Sequence, residues 1–230
     1  MFKNLGVKDY LKFSKEVLDI SNGLPVSLEV IGDDHESMVN QARKLYALSS
    51  NVFVKIPITY TSGESTIDTI AKLSEDGVKL NITAIFTIEQ VKKILPTIRA
   101  NNSIISVFAG RLYDVGLDAV EILTEISSYV SDNSNCETLW ASPRMHFDYI
   151  KAGNAGCDII TMPTTMYRKM SLIGKSPEEY SELRHNLRTP LNAIIGYSEI
   201  LMEDYEDDLE ERTLEDFQQI INLARETETA

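Results

Sequence analysis

A lysine inside an apolar segment is the residue of this chain best suited to covalent chemistry. Lys55 lies in the sequence NVFVKIPIT at 51–59, between a valine and an isoleucine. A buried ammonium group is costly, so a lysine in such a segment loses its proton readily and becomes a nucleophile toward carbonyl carbon. The alternative is a lysine at a strand end whose side chain reaches into solvent. Taken alone, the sequence around Lys55 leaves both possibilities open.

Polar residues also interrupt other apolar runs near their ends. They are Glu29, Asn81 with Thr83, Ser106 with Arg111, and Ser142 with Arg144. Barrel proteins build their active sites at the carboxyl ends of parallel strands, and packing alone gives no reason for polar groups at five strands. Guanidinium groups match the geometry of phosphate oxygens, so the two arginines indicate a phosphate-binding site.

Six short apolar runs alternate with helical patterns over residues 1–175. The runs are 26–30, 52–58, 80–86, 104–109, 138–141 and 159–163. Nearly continuous apolar runs are typical of strands buried on both faces of a parallel sheet. Amphipathic stretches such as 34–48 and 87–99 predict the connecting helices, and TIEQ at 87–90 is a capping-box pattern.

A doubly wound sheet and a barrel both fit this period, and the polar strand ends favour the barrel. We therefore predict an α/β fold, an incomplete TIM-type (β/α) barrel with six recognisable strands, followed by a C-terminal helical hairpin. The predicted domains are residues 1–175 and 176–230.

The second predicted domain begins with a long amphipathic helix over 176–211. Its apolar residues step by three or four, close to a heptad seam: Leu183, Leu187, Leu191, Ile194, Ser198 and Leu201. Pro190 lies inside this helix and should kink it. A charged break at 203–212 precedes a short return helix at 214–224, which completes the hairpin.

Composition and charge exclude several classes of partner. The 230 residues carry a net charge of −13, but 199–230 hold 12 acids and 2 bases, or −10, which leaves −3 for residues 1–198. A nucleic-acid partner is not expected, because phosphate backbones require clustered Lys and Arg. No membrane contact is expected either, because no apolar run approaches 18 residues.

The cysteines and the N-terminus indicate a reducing compartment. Cys136 and Cys157 lack neighbours at metal-ligand spacing and are expected to be reduced packing residues. The first 18 residues are charged throughout, without the apolar centre of a secretory signal. A cytoplasmic location is therefore expected.

The residues around Lys55 resemble the transaldolase family, including its short fructose-6-phosphate-aldolase-like branch. The matching strings are PVSLEV, NVFVKIPIT, GVKLNITAIF, ISVFAGRLYD, ASPRMHF and AGCDIITMP, and the resemblance covers about residues 1–181. It implies that a dihydroxyacetone unit is transferred between sugar phosphates through a lysine Schiff base, with no metal or other cofactor.

The resemblance also implies a role for each candidate residue. Lys55 matches the Schiff-base lysine, and Glu29 matches the carboxylate that works with the catalytic water. Asn81 and Thr83 match residues that hold the substrate and that water. The substrate and phosphate pocket would comprise Ser106, Phe108, Arg111, Ser142 and Arg144.

The chain departs from the family at its beginning. The family's first strand carries an aspartate that acts as general acid and base, and its second carries an asparagine and a threonine near the lysine; this chain begins after both. We therefore expect imine formation with reduced turnover. An open sheet also exposes two edges, so a homo-oligomer is expected.

The string LRHNLRTPLNAIIGYSE at 183–199 resembles the phosphoacceptor box of histidine kinases, over about residues 183–224. The resemblance implies a hairpin that dimerises into a four-helix bundle, His185 as the phosphoacceptor, and a histidine kinase or response regulator as partner. Asn186 stands where an acidic residue is usual, and no nucleotide-binding motif follows, so a kinase would have to act in trans.

Three functions are therefore open: a Schiff-base enzyme, a phosphoacceptor or dimerisation module on an inactive barrel, and a barrel without chemistry. The enzyme is favoured. The junction near residue 181 fits a fusion, a truncated gene or a designed chimera.

Overall fold

The computed structural model describes residues 7–98, 102–204 and 211–229. The chain divides into two compact units, residues 1–162 and 163–230. The predicted domain boundary between residues 175 and 176 stays a prediction. No helix in the described ranges is long and apolar enough to cross a membrane.

The first unit alternates strands and helices. In chain order its elements are α1 Tyr10–Ser21, β1 Val26–Glu29, α2 His35–Tyr46, β2 Val52–Pro57, α3 Ile67–Glu75, β3 Leu80–Ile85, α4 Ile88–Ile98, β4 Ile104–Val107, α5 Ala109–Asp114, α6 Ala119–Asn133, β5 Glu137–Trp140, α7 Asp148–Asn154 and β6 Ile159–Ile160.

The six strands form one parallel sheet in the order β1 to β6. Each strand pairs with its neighbour in sequence, whereas a doubly wound sheet reverses its order at a switch point. Connections that all run in one direction place the helices on one face of the sheet, as in a barrel. The sheet curls into half a barrel, which confirms the predicted incomplete TIM-type fold.

Alternation along the strands separates the two faces of the sheet. Residues such as Val54, Ile56 and Ile82 are fully buried in the large core that includes buried residues of the helices. A smaller apolar cluster of Phe53, Ile104, Leu139 and Ala141 comes from the alternate positions. Lys55 is two residues from Phe53, so it shares the inner face with this small cluster.

Helix α4 begins with the predicted capping box. The Gln90 side-chain oxygen accepts hydrogen bonds from the backbone N–H groups of Phe86 at 2.8 Å and Thr87 at 3.1 Å. The Thr87 hydroxyl in turn accepts one from the Gln90 N–H at 3.3 Å. These bonds satisfy N–H groups that the first turn of a helix leaves unpaired.

Some predicted boundaries differ from the structure. The predicted strand 104–109 ends at Val107 because α5 begins at Ala109. The strand predicted at 159–163 is only two residues long. The short helices α5 and α7 were not predicted, because six or seven residues are too few to show a helical period.

The second unit is mainly a helical hairpin. It contains α8 Thr164–Tyr167, a 3-10 turn at Met170–Leu172, α9 Pro177–Asp204 and α10 Glu211–Thr229. Helix α9 runs without interruption through Pro190, and α10 extends beyond the predicted 214–224 on both sides.

Most residues of the predicted heptad seam lie on the exposed side of α9. Ser198 is buried and Leu191 half-buried, but Leu183, Leu187, Ile194 and Leu201 are exposed. The residues withdrawn from solvent follow a neighbouring stripe of α9, at Leu191, Ile195, Ser198 and Met202, and a stripe of α10 that includes Ile221 and Ala224. The hairpin therefore packs along one stripe and leaves a second apolar stripe uncovered.

Candidate functional site

Three predicted site residues are adjacent on neighbouring strands. Glu29 on β1 lies in register with Lys55 on β2, and Lys55 lies in register with Asn81 on β3. In parallel strands, residues in register project their side chains to the same face. The sheet therefore places a carboxylate, an amine and an amide in one row on its inner face.

Lys55 is half-buried and forms an ion pair. Its Nζ atom lies 3.7 Å from Oε2 of Glu29, and the two side chains are 29% and 53% exposed. This exposure shows that the amine of Lys55 is accessible from solvent. An amine next to a carboxylate can transfer its proton locally and then attack a carbonyl group.

A hydrogen-bonded row of polar side chains lies beside this pair. The Ser106 hydroxyl donates to Oδ1 of Asn81 at 2.6 Å, and Nδ2 of Asn81 donates to the Ser27 hydroxyl at 2.9 Å. Both ends of the Asn81 amide are thereby used, which fixes its orientation. A fixed amide is suited to holding a bound hydroxyl or water in one place.

Thr83 is the next polar residue on β3, and its hydroxyl is available to a ligand. The side chain is 2% exposed, and its oxygen has no hydrogen-bond partner among the described residues. The pairing of β3 with β4 shifts between Ile82 and Ile85, and Ala84 has a φ of 60° in the left-handed region. Such a bulge re-aims the side chains beside it and is common next to active sites.

These residues surround one cavity of about 490 Å³. Every predicted residue from Glu29 to Phe108 lines it, together with Ser142, and Arg111 does not. The lining residues are Tyr10, Phe13, Ser14, Val17, Val26, Ser27, Leu28, Glu29, Lys55, Asn81, Thr83, Ser106, Phe108, Leu139, Ala141, Ser142 and Thr161. We call this space the Lys55 cavity; its volume suits a small polar substrate.

The two predicted phosphate-binding arginines are held by other groups. The guanidinium of Arg111 lies 4.4 Å from the centre of the Phe108 ring. Arg144 donates from Nε to Asp114 at 3.0 Å and from Nη2 at 2.5 Å, a two-bond contact that lowers the pKa of the Asp114 carboxyl. Neither arginine is among the residues that line the Lys55 cavity.

Close backbone packing brings α5 next to the loop that carries Arg144. A Cβ atom at Gly110 would lie 1.8 Å from the backbone oxygen of Ser142 and 2.9 Å from Cζ of Arg144. Only a glycine permits this approach. Ser142 itself has a φ of 59°, in the left-handed region that L residues rarely adopt.

Sequence reasoning missed two groups of cavity residues. Ser27 lies two residues before Glu29 on β1, and Thr161 lies two residues after Ile159, just beyond the end of β6. The alternation of side chains along a strand could therefore have indicated both residues. Tyr10, Phe13, Ser14 and Val17 come from α1, and nothing in the sequence of a helix before the first strand indicates that it lines the cavity.

The candidate phosphoacceptor lies apart from these residues in the chain, on α9. His185 is exposed, and its backbone oxygen accepts a hydrogen bond from the Thr189 hydroxyl at 3.2 Å. Its imidazole is accessible to solvent, as a group that accepts phosphate has to be.

Comparison with known proteins gives matches over most of the chain. A family model described as Transaldolase/Fructose-6-phosphate aldolase matches residues 1–226. A protein described as "Probable transaldolase" from Methanococcus maripaludis (strain C7 / ATCC BAA-1331) is 37% identical over 164 residues, which cover 71% of this chain and 73% of that protein.

Two further proteins with the same description are similar to this chain. One, from Thermoanaerobacter sp. (strain X514), is 33% identical over 164 residues, covering 71% of this chain and 72% of the relative. The other, from Thermoplasma volcanium, is 33% identical over 174 residues, covering 75% and 73%. These matches give no support to the histidine-kinase resemblance of residues 183–224.

Proposed function

Because the chain belongs to the transaldolase/fructose-6-phosphate aldolase family, we propose that it transfers a dihydroxyacetone unit between sugar phosphates through a Schiff base on Lys55. One observation carries this proposal: the amine of Lys55 lies 3.7 Å from the Glu29 carboxylate in a cavity that both residues line. A nucleophile within reach of a base is the arrangement that covalent catalysis requires.

The proposed reaction begins at the ketone of the donor sugar. Glu29 accepts a proton from Lys55, and the neutral amine adds to the carbonyl carbon. Loss of water uses that proton and gives a protonated imine, whose nitrogen accepts electrons as the C3–C4 bond breaks. The C4 hydroxyl passes its proton to the Glu29 carboxylate in this step, and Glu29 later returns it to the oxygen of the acceptor. The resulting aldehyde leaves, and the three-carbon enamine on Lys55 attacks the acceptor aldehyde. Hydrolysis of the new imine releases the product and restores the amine.

The other polar residues of the cavity would position the substrate and water. The fixed amide of Asn81 and the hydroxyl of Thr83, which has no hydrogen-bond partner within 7–98, 102–204 and 211–229, suit sugar hydroxyls or the catalytic water. Ser106 and Phe108 would contact the carbon chain on the β4 side of the cavity.

We assign the phosphate end to Ser142, Arg111 and Arg144. All three follow the carboxyl ends of β4 and β5, where barrel enzymes bind their substrates. Arg144 already holds a carboxylate in its two-bond contact with Asp114, and a phosphate presents the same oxygen geometry.

Trapping the imine tests this function directly. The purified chain is incubated with fructose 6-phosphate and borohydride, and the modified peptide is identified by mass spectrometry. We expect a reduced adduct on Lys55 that disappears in Lys55→Met and persists in Lys79→Met, a lysine outside the cavity lining. An adduct on another lysine, or none, would contradict the proposal.

For the helical hairpin we propose a second, separate function as a phosphoacceptor and dimerisation module. His185 is exposed on α9, and the exposed leucines Leu183 and Leu187 flank it, which favours contact with a second copy. The imidazole would take a phosphoryl group from a separate histidine kinase. The same contact would produce the expected homo-oligomer.

Radiolabelled ATP and a purified histidine kinase test the phosphoacceptor. Acid-labile label is expected on the intact chain and on His35→Gln, an exposed histidine outside the hairpin, but not on His185→Gln. Absence of label from the intact chain, or label that His185→Gln retains, would rule out this role.

A further inference from the structure

Tyr10 is the third titratable side chain among the described residues that line the Lys55 cavity, besides Lys55 and Glu29. It is the first residue of α1, whose start is fixed by Asp9: the Asp9 carboxylate accepts from the Lys12 N–H at 3.0 Å. Tyr10, Phe13, Ser14 and Val17 lie at helical spacing and present one face of α1 to the cavity.

The Tyr10 hydroxyl forms a hydrogen bond with Glu29, the residue whose carboxylate pairs with Lys55. It donates to the backbone oxygen of Glu29 at 3.1 Å, and the carboxylate of Glu29 lies 3.7 Å from Nζ of Lys55. Burial raises the pKa of Tyr10. The phenol therefore keeps its proton at neutral pH, and a substrate oxygen has to compete with the Glu29 backbone oxygen to receive it.

The imine-forming step needs two proton-transfer groups, one on the nitrogen side and one on the oxygen side. Glu29 is next to the nitrogen of Lys55 and takes up the ammonium proton, so it serves the nitrogen side. The oxygen of the former ketone has to leave as water, and it leaves readily only if an acid protonates it. Tyr10 is the remaining titratable group of the described lining.

We propose that Tyr10 is the general acid that protonates the departing oxygen when the Lys55 imine forms. The proposal rests on the Schiff-base function above. The amine adds to the ketone, and a proton moves from nitrogen to oxygen to give the carbinolamine. The Tyr10 proton then passes to the hydroxyl oxygen, the C–O bond breaks, water leaves, and the nitrogen lone pair forms the C=N bond. Protonated Glu29 returns its proton to the phenolate, so both groups end as they began.

Tyr10→Phe removes the hydroxyl and keeps the ring in the cavity. We expect the rate constant for imine formation in a single turnover to fall by roughly 100-fold, within the range of general acid catalysis, while the KM for fructose 6-phosphate changes less than about twofold. Tyr10→His, which restores a proton donor, should recover part of the rate.

Tyr46→Phe is the matched control, because Tyr46 is a half-buried tyrosine outside the cavity lining. Its imine should form at the rate of the unmodified chain. A merely structural Tyr10 would lower the melting temperature of Tyr10→Phe without changing the rate of imine formation.

The outcomes separate this inference from the function on which it rests. If the unmodified chain forms the Lys55 adduct and Tyr10→Phe forms it equally fast, Tyr10 is not the acid and the Schiff base stands. Equal rates for Tyr10→His and Tyr10→Phe would also argue against an acid role. If the unmodified chain forms no adduct, both proposals are wrong.

Discussion

Arg144 binds a carboxylate of its own chain at the place where a phosphate group is proposed to bind. Asp114 accepts two hydrogen bonds from it, and Arg144 also donates to the Ser142 backbone oxygen at 3.4 Å. Because this contact lowers the pKa of Asp114, the pair persists at neutral pH and is lost only as the pH falls through the lowered value. A phosphate would have to share the guanidinium or displace the carboxylate.

Substitutions of Arg144 and of Asp114 should therefore change the KM for a sugar phosphate in opposite directions. Arg144→Ala would remove the proposed charge-assisted hydrogen bonds to the phosphate, so the KM for a sugar phosphate should rise roughly 10- to 100-fold. Asp114→Asn weakens the competing contact and should lower that KM a few-fold. Steady-state kinetics with phosphorylated and unphosphorylated ketoses measures both effects.

The control for this prediction is a similar ion pair elsewhere. Arg43 donates two hydrogen bonds to Asp76, between α2 and the end of α3, outside the cavity lining. Arg43→Ala should leave both KM values unchanged. If Arg144→Ala changed the KM equally for phosphorylated and unphosphorylated ketoses, Arg144 would not bind the phosphate.

At the level of single residues, the sequence indicated the strand part of the site and missed the helical part. A charged or amide side chain within an apolar strand stands out, as Lys55 and Asn81 do, because burial there is costly. Tyr10 gives no such signal, because a tyrosine at the start of an amphipathic helix is ordinary. Its place in the cavity lining follows from where α1 packs.

The positions of α5 and of the loop after β5 depend on one close approach of two backbones. Gly110 lies where an added Cβ would contact the Ser142 oxygen at 1.8 Å, and a backbone atom cannot move aside as the end of a side chain can. The position of the loop after β5 is thereby tied to α5.

Gly110→Ala should displace this loop and Arg144 with it. We expect a loss of about 1–3 kcal/mol in the free energy of unfolding, as for overpacked cores, together with a raised KM for sugar phosphates. Gly153→Ala is the matched control: Gly153 lies in α7 with no atom within 4 Å of an added Cβ. It should be neutral or stabilising by up to about 1 kcal/mol. Denaturant unfolding of both variants gives the comparison, and an unaltered Gly110→Ala would contradict the close packing.

The elements themselves were predictable where their patterns were long. Six apolar runs predicted six strands, and the Thr87–Gln90 pattern predicted a capped helix, because burial and capping act on the local chain. The stripe of α9 that contacts α10 was not predictable, because two apolar stripes compete on that helix. Which stripe is covered depends on how the hairpin packs.

For the whole molecule, the change of composition after Lys175 indicated a chain in two parts. Residues 1–162 carry 15 bases and 20 acids, or −5, whereas residues 199–230 alone carry −10. Anionic sugar phosphates would therefore approach a unit with little net charge, and salt at about 0.1 M screens the acidic hairpin beyond roughly 10 Å. The two compact units divide between residues 162 and 163. The composition does not change there, because this boundary depends on contacts in the folded chain.

Trp140 can serve as an intrinsic fluorescence probe of this protein. It is the single tryptophan of the chain, lies fully buried on β5, and has its ring centre 6.1 Å from that of Tyr113. Its emission therefore originates in the large core between the sheet and the helices, and no other tryptophan contributes to the spectrum. A change in its emission therefore reports unfolding of the sheet around β5.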